Sequence, residues 1–354
     1  MCILLHSKPQ INYVNAMLRR IDREGRIELE KVTSIFDNIA PWLAQEWIDT
    51  YGKERTEIMI QASMKQSPIY ISVNHAPNST VEERAIKLQK VQAQFSTNNN
   101  TAKLLPHGSI EIPKDFQGSI SKWPLYKEGD WWVQDPSASL PAIVLNTALC
   151  KDREAKELHI VDLCSAPGGK TAQLCSLGFG NVTAIEVSAR RIKALRENMN
   201  RLGMNGVCEM VVSDGRQWIP KSTVHGVLAD VPCSATGVGS RRPDVLRKSP
   251  DMDELLTIQR ELAAHAADEI VQPGGIIVYA TCSLLKQESE QQVQWLLSRT
   301  EGAKLENFPI TPGEIPGFDA AIDENGWLRV LPGILEGTLA NCDGFFVARL
   351  KRVA

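Results

Sequence analysis

No C-x-x-C pair occurs among the eight cysteines, which are scattered at positions 2, 150, 164, 175, 208, 233, 282 and 342. A chain of 354 residues has no need of a disulfide framework, and its six dispersed histidines give no zinc spacing, so neither a stapled nor a metal-built fold is expected. No apolar run reaches the ~18 residues of a membrane span. The start, MCILLHSKPQINY, has neither a basic leader nor a small-residue cleavage site, and no Arg/Ser-rich transit segment follows. A reduced, cytoplasmic compartment is expected, with no membrane and no metal. Excess positive charge is missing too: 39 basic against 42 acidic residues leave a net charge of −3, which excludes bulk coating of nucleic acid but not a local basic face. G-x-G-x-x-G and G-x-x-x-x-G-K-S/T loops are both absent, which weighs against dinucleotide and nucleoside-triphosphate sites.

What the chain does have is ELHIVDLCSAPGGKTAQL, residues 157–174. Leu158, Ile160, Val161 and Leu163 read as a short buried strand, followed by a Pro-Gly-Gly turn and a helix from about Thr171. A strand feeding a glycine turn and then a helix leaves backbone N–H groups open at the helix start, where Gly168 and Gly169 let a ligand approach the backbone.

Ahead of this, residues 1–40 read as a helical tail, with Val14, Met17, Leu18 and Ile21 at helical spacing. Residues 41–128 read as a small α/β module. A helix pair carrying Trp42, Leu43, Trp47, Ile58, Met59 and Ile60 leads to a strand at 69–74. A capping box, Thr80 to Glu83, opens a helix through about Lys90. A loop over 94–101 and strands near 103–105 and 108–112 complete the module, either a structural lid or an RNA-binding surface. Residues 129–354 then alternate. A helix starts near Asp135–Ser137, and strands are expected at 158–163, 182–187, 207–212, 225–231 and 276–282. Helices lie between them, one of which spans 251–271. A final pair, 327–333 and 344–350, has no helix between its strands and reads as a closing antiparallel edge. The fold class is α/β: a Rossmann-like parallel sheet with helices on both faces and an antiparallel closing edge, beside a small N-terminal α/β module.

Ligands of such sheets bind beyond the carboxyl ends of the strands. Asp162 and Cys164 end the first strand, Glu186 the second, Asp214 the third, Asp230 and Cys233 the fourth, Thr281 and Cys282 the fifth. The ligand should be nucleoside-like without a polyphosphate. S-adenosyl-L-methionine fits, with its ribose on Glu186, its adenine near Asp214 and its positive amino-acid end at Asp162. Cys233 and Cys282 sit in polar turns where a thiol can be made nucleophilic, whereas Cys164, Cys175 and Cys208 read as small core residues.

DLCSAPGGKT, IEVSARRI, SDGRQW, ADVPCSATGVGSRRPD, YATCSLLKQESE and LPG…DGFFVARL together resemble the ordered motifs of the RNA cytosine-5 methyltransferases of the Sun/RsmB/Nop type, in particular the bacterial 16S ribosomal RNA branch. The likeness spans about 130–354, and WWVQDPSA resembles the segment leading into that domain. PIYISVN and the helices before it resemble the branch's small module, of RNA-recognition-motif type. NYVNAMLRRI resembles the end of its NusB-like helical domain, most of which the resemblance leaves missing here.

The resemblance implies that Cys164, Ser165, Ala166, Pro167, Gly168, Gly169, Lys170, Glu186, Asp214 and Asp230 contact S-adenosyl-L-methionine. It also implies Cys282 as nucleophile and Cys233 as helper in product release. Glu186 stands where the family usually has aspartate, and KQESE replaces P-E-E-N-E. Carbon 5 of cytosine is a poor nucleophile, so Cys282 would attack carbon 6, with Asp230 on the base edge and Lys170 assisting. The target base must leave its stack. Arg190, Arg191, Lys193, Arg196, Arg241, Arg242, Arg247 and Lys248 are RNA-phosphate candidates, although the same charge runs also describe a solvated face. The expected activity is therefore methylation of cytosine in small-subunit ribosomal RNA by a monomer. Transfer RNA is the second choice of substrate. A non-catalytic RNA-binding assembly factor, or a DNA cytosine methyltransferase with Cys233 as nucleophile, would be the alternatives of another class.

Overall fold

Residues 159–163 have no exposed face: all five side chains of the strand they form are buried, His159 and Asp162 included, so the strand has to be covered on both sides. The computed structural model, which describes residues 8–25, 34–76, 79–96, 100–116 and 118–353, covers it with helices on each face. Among the described residues, no helix is long and apolar enough to cross a membrane.

Helix α1 (Lys8–Arg20) runs along the expected tail, with Tyr13, Met17 and Leu18 exposed. The helix pair is α2 (Pro41–Tyr51) and α3 (Lys53–Met64). Pro41 sits in the first turn, where its missing N–H costs nothing, and Leu43, Ala44 and Trp47 are buried at helical spacing. Strand β1 (Ile69–Val73) precedes α4 (Val81–Gln94). The Thr80–Glu83 capping box is present in both directions, at 3.1 and 2.8 Å. The helix runs four residues past Lys90 before Phe95 turns into the core. Part of the loop expected over 94–101 lies outside the described residues. Strands β2 (Lys103–Leu104), β3 (Ile110–Ile112) and β4 (Trp131–Val133) complete an antiparallel sheet in the order β2-β3-β1-β4. The segment 131–133 gives no alternating signal of its own, yet it pairs with β1. The last strand of the small sheet therefore lies past residue 128.

The second sheet follows α5 (Pro136–Leu149), which Asp135 caps by accepting from the Ser137 N–H at 3.0 Å. Its elements are β5 (His159–Leu163), α6 (Gly169–Ser176), β6 (Asn181–Glu186), α7 (Ala189–Arg201), β7 (Cys208–Val212), β8 (Val224–Asp230), α8 (Met252–His265), β9 (Val271–Thr281), α9 (Glu290–Ser298), β10 (Leu305–Asn307), β11 (Leu328–Val330) and β12 (Phe345–Arg352). The order is β10-β12-β9-β8-β5-β6-β7, with β11 paired to β12. β9, β8, β5, β6 and β7 are mutually parallel, whereas β12 runs antiparallel to β9. Alternate residues feed two cores. Ile160, Leu228 and Val278 meet Leu145 and Leu174 of α5 and α6 on one face. Val161, Val227, Ile277 and Tyr279 lie with Ala263 and Ala266 on the other.

Two boundaries move. The helix expected to reach residue 271 ends at His265 and opens into a wider turn through Ile270. The fifth strand begins at Val271 rather than 276. Its Pro273-Gly274-Gly275 is a bulge inside the strand, because pairing jumps from Val224↔Val271 to Gly226↔Ile276. Helix α9 and strand β10 carry too few periodic residues to stand out in the sequence.

Candidate active site

The ends of β5 and β8 open on one cleft. β5 finishes at Leu163, and the chain then turns through Cys164, whose φ of 58° is the left-handed region that non-glycine residues enter at a cost of about 1–2 kcal/mol. Gly168, at φ 104°, caps α6. A side chain there would be strained, and its Cβ would lie 3.2 Å from Leu195. This brings α7 against the turn and leaves the first N–H groups of α6 facing the strand ends. The cleft has a volume of about 270 Å³, and its walls include Asp162, the Cys164–Pro167 turn, Gly169, Lys170 and Asp230. The opposite wall holds Gln134, Asp135, Arg241 and Asp343.

Asp162 is fully buried. Its Oδ2 accepts from Thr171 Oγ1 at 2.6 Å, while Oδ1 has no hydrogen-bond partner among the described residues. Burial pushes its pKa up to about 7, against the opposing pull of Thr171 and Lys170. Glu186, also buried, accepts from the Ser188 N–H at 2.9 Å and pairs with Arg191 at 3.3 Å. Arg191 also donates to the Ala166 carbonyl at 2.6 Å, so this guanidinium is spent on the turn itself. Asp214 is gripped by Arg216, Nη2 to Oδ2 at 2.6 Å, which holds its carboxyl below the usual carboxylate range. Neither Glu186 nor Asp214 is among the cleft's lining residues; both stand farther along the same row of strand ends. Burial also pushes the Cys164 thiol up to about 12.

An ion pair and two thiols meet beyond the ends of β8 and β9. Lys170 Nζ donates to Asp230 Oδ2 at 2.7 Å and lies 5.1 Å from the ring centroid of Phe345. Burial works to depress the Lys170 ammonium, but Asp230 outweighs it and keeps its pKa above the ordinary value. Cys233 Sγ and Cys282 Sγ are 3.4 Å apart. The hydrogen bond to Cys233 and then burial raise the Cys282 pKa well above 9.0, while Lys170 pulls the other way and favours its thiolate.

Sequence reading missed how these thiols are held. Glu288, fully buried, accepts from the Ser234 N–H and from Gln259 Nε2, each at 2.9 Å, and from the Ser234 hydroxyl. Gln259 also donates to the Pro232 carbonyl at 2.9 Å, so both neighbours of Cys233 are pinned. On the Cys282 side, Arg329 donates to the Ser283 carbonyl at 2.8 Å and pairs with Glu290 at 2.7 Å. Gly237 donates to the Cys282 carbonyl at 2.8 Å and accepts from the Gly344 N–H at 2.8 Å. Of the arginines proposed for RNA, Arg190, Arg241 and Arg242 are exposed, but Arg241 is also held between Asp135 and Asp343. The position of Asp135 as a helix cap was the only sequence signal for that last group.

Comparison with known proteins gives the family. The chain is 31% identical over 357 residues to ribosomal RNA small subunit methyltransferase B of Shewanella oneidensis, covering 99% of this chain and 76% of that one. Among solved structures, the protein PH0851 superposes with a TM-score of 0.68 at 28% identity, covering 88% of this chain and 65% of that one. NSun6 from Pyrococcus horikoshii, crystallised with SFG, has a TM-score of 0.66 over 88% of this chain and 98% of its own; at 20% identity it speaks for the fold alone. The family model for 16S rRNA methyltransferase RsmB/F matches residues 148–351, from the end of α5 to β12 and so across every strand end described above, and the chain belongs to that family.

Proposed function

We propose that this protein methylates carbon 5 of a cytosine in small-subunit ribosomal RNA, through a covalent bond between Cys282 and carbon 6 of the base. The observation that carries the proposal is the Cys233–Cys282 thiol pair, 3.4 Å apart, beside the Lys170–Asp230 ion pair. Membership of the family makes the protein an rRNA methyltransferase, and S-adenosyl-L-methionine is its methyl donor.

The residues present suit that donor. The unpartnered Asp162 Oδ1 offers a buried acceptor for an ammonium group, the Cys164–Lys170 turn offers backbone N–H groups, Glu186 suits a ribose diol, and Asp214 the adenine. When bound, the donor supplies an electrophilic methyl group. The protein's own residues do the rest. Cys282, as thiolate, adds to carbon 6, and its electron pair makes carbon 5 an enamine-like nucleophile. Asp230 hydrogen-bonds the base edge, and a proton passed through it to the ring nitrogen takes up the electron density that the addition releases, while Lys170 balances the charge that develops. After carbon 5 gains its methyl group, Cys233 or a water removes the carbon 5 proton. The electrons of that C–H bond restore the ring double bond and expel the Cys282 thiolate. A paired base is out of reach of this corner, so the substrate is an unstacked cytosine.

The test is transfer of labelled methyl from S-adenosyl-L-methionine to total RNA by wild type and Cys282→Ala, with 5-methylcytosine then mapped. Label in small-subunit rRNA that disappears in the variant supports the reading. Label in transfer RNA, or undiminished label in Cys282→Ala, refutes it.

A further inference from the structure

Arg241 was a natural candidate for an RNA phosphate contact, and its surroundings argue for something else. Its Nη2 donates to Asp135 Oδ2 at 2.6 Å and its Nε to Asp343 Oδ2 at 2.8 Å. The Asp343 N–H closes the triangle on Asp135 Oδ1 at 3.2 Å. Both carboxylate side chains are only 6% exposed, and the arginine side chain 29%. One planar guanidinium is thus forked between two buried carboxylates, a geometry that lysine cannot reproduce. Moving Arg241 onto a phosphate would strand two adjacent buried negative charges, which is strongly unfavourable.

The three residues belong to three different parts of the fold. Asp135 caps α5, Asp343 leads into β12, and Arg241 closes the turn that begins at Cys233. All three line the cleft. The chain of contacts goes further: Ser240 Oγ donates to Asp343 Oδ1 at 3.2 Å and receives a hydrogen bond from Ser67 Oγ, just ahead of β1, at 2.6 Å. The turn carrying Cys233 is therefore fixed from one side by Glu288 and from the other by this ion triad.

We propose that Arg241 is a positioning residue for methyl transfer. Clamped by Asp135 and Asp343, it sets the Cys233 turn against the cofactor wall, so that the thiols and the cleft keep one geometry. This rests on the cytosine-5 reading above for what the thiols do, but not for the clamp itself.

The experiment uses the full chain with unmethylated small-subunit rRNA, comparing Arg241→Met, Arg241→Lys, Asp343→Asn and the double variant Arg241→Met/Asp343→Asn. The readouts are kcat, KM for RNA, salt dependence of RNA affinity, cofactor affinity and thermal melting. As a positioning residue, Arg241→Met lowers kcat by about 10–100-fold while KM for RNA and the salt slope stay at the wild-type values. Asp343→Asn lowers kcat in the same direction, the double variant is no worse than the poorer single one, and Arg241→Lys regains part of the loss.

An RNA contact would give the opposite split: KM for RNA rises, the salt slope falls by about one, kcat holds and Asp343→Asn is silent. That result overturns the proposal. So does a loss of melting temperature and cofactor binding that accounts for the whole effect in every variant, Arg241→Lys included. If wild type methylates RNA at an atom other than carbon 5, the reading of the thiols fails, while the split between kcat and KM still decides the role of the clamp.

Discussion

Cys233 and Cys282 present their sulfur atoms to each other across 3.4 Å, although 49 residues of chain separate them. Each comes from the loop beyond a parallel strand, β8 or β9, and these strands are adjacent in the sheet. On the function proposed above, one of these thiols forms the bond to the base and the other helps to break it.

Cys282→Ala should reduce methyl transfer to background, while Cys233→Ala should complete the first half of the reaction and stall. The stalled enzyme carries RNA on Cys282, seen as a protein band of retarded mobility on a denaturing gel with labelled RNA. A retarded band from Cys282→Ala, or none from Cys233→Ala despite methyl transfer at the wild-type rate, would exchange or abolish the two roles.

Adduct formation should accelerate with pH. The hydrogen bond to Cys233 and burial raise the Cys282 pKa above its ordinary 9.0, so the thiolate fraction grows through the alkaline range. Cys233→Ala removes the largest raising cause and should move the alkaline limb to lower pH. Lys170→Met removes the opposing pull and should move it higher. Single-turnover rates of adduct formation from pH 6 to 10 measure both shifts, and a limb that moves in neither variant counts against Cys282 as the titrating group.

Affinity for S-adenosyl-L-methionine should also depend on pH, at a different point. Asp162, held near 7 by burial, is protonated below that value and offers its ammonium-accepting oxygen only above it. Binding should therefore tighten as pH rises through about 7, and Asp162→Asn should weaken binding and flatten the dependence. Asp343 lines the same cleft with a pKa also pushed to about 7, burial first and Asp135 second, so calorimetry on Asp343→Asn separates the two carboxyls.

Gly237→Ala should damage both stability and activity. The added Cβ would fall 2.3 Å from the Gly344 oxygen and 2.6 Å from that of Cys282, neither of which is a flexible side chain. Overpacking of this kind costs about 1–3 kcal/mol and displaces the nucleophile's own backbone. A lower Tm accompanied by loss of kcat is the expected result; wild-type values of both would show that the contact yields.

Most of this site was legible because it is made of strand ends. A buried strand announces itself by its apolar run, and the polar residue that ends it marks the row of strand ends, so Asp162, Glu186, Asp214 and Asp230 could be placed along that row from local pattern. What holds the thiols could not. Arg241 meets partners 106 and 102 residues away, and Glu288 meets Ser234 across 54; no local periodicity encodes such distances. The bulge at Pro273-Gly274-Gly275 was hidden for another reason: those residues signal a turn, and only pairing with β8 shows that the strand continues on either side.

Strand β12 follows every other described strand along the chain, yet it lies inside the sheet, between β9 and β10. While the chain is emerging from the ribosome, β9 keeps an open hydrogen-bonding edge until residues 345–352 arrive, and Cys282 lacks the Gly344–Gly237 contact that seats it. A nascent chain that already contains every residue expected to touch the methyl donor therefore still lacks the strand that closes β9 and the contact that seats Cys282.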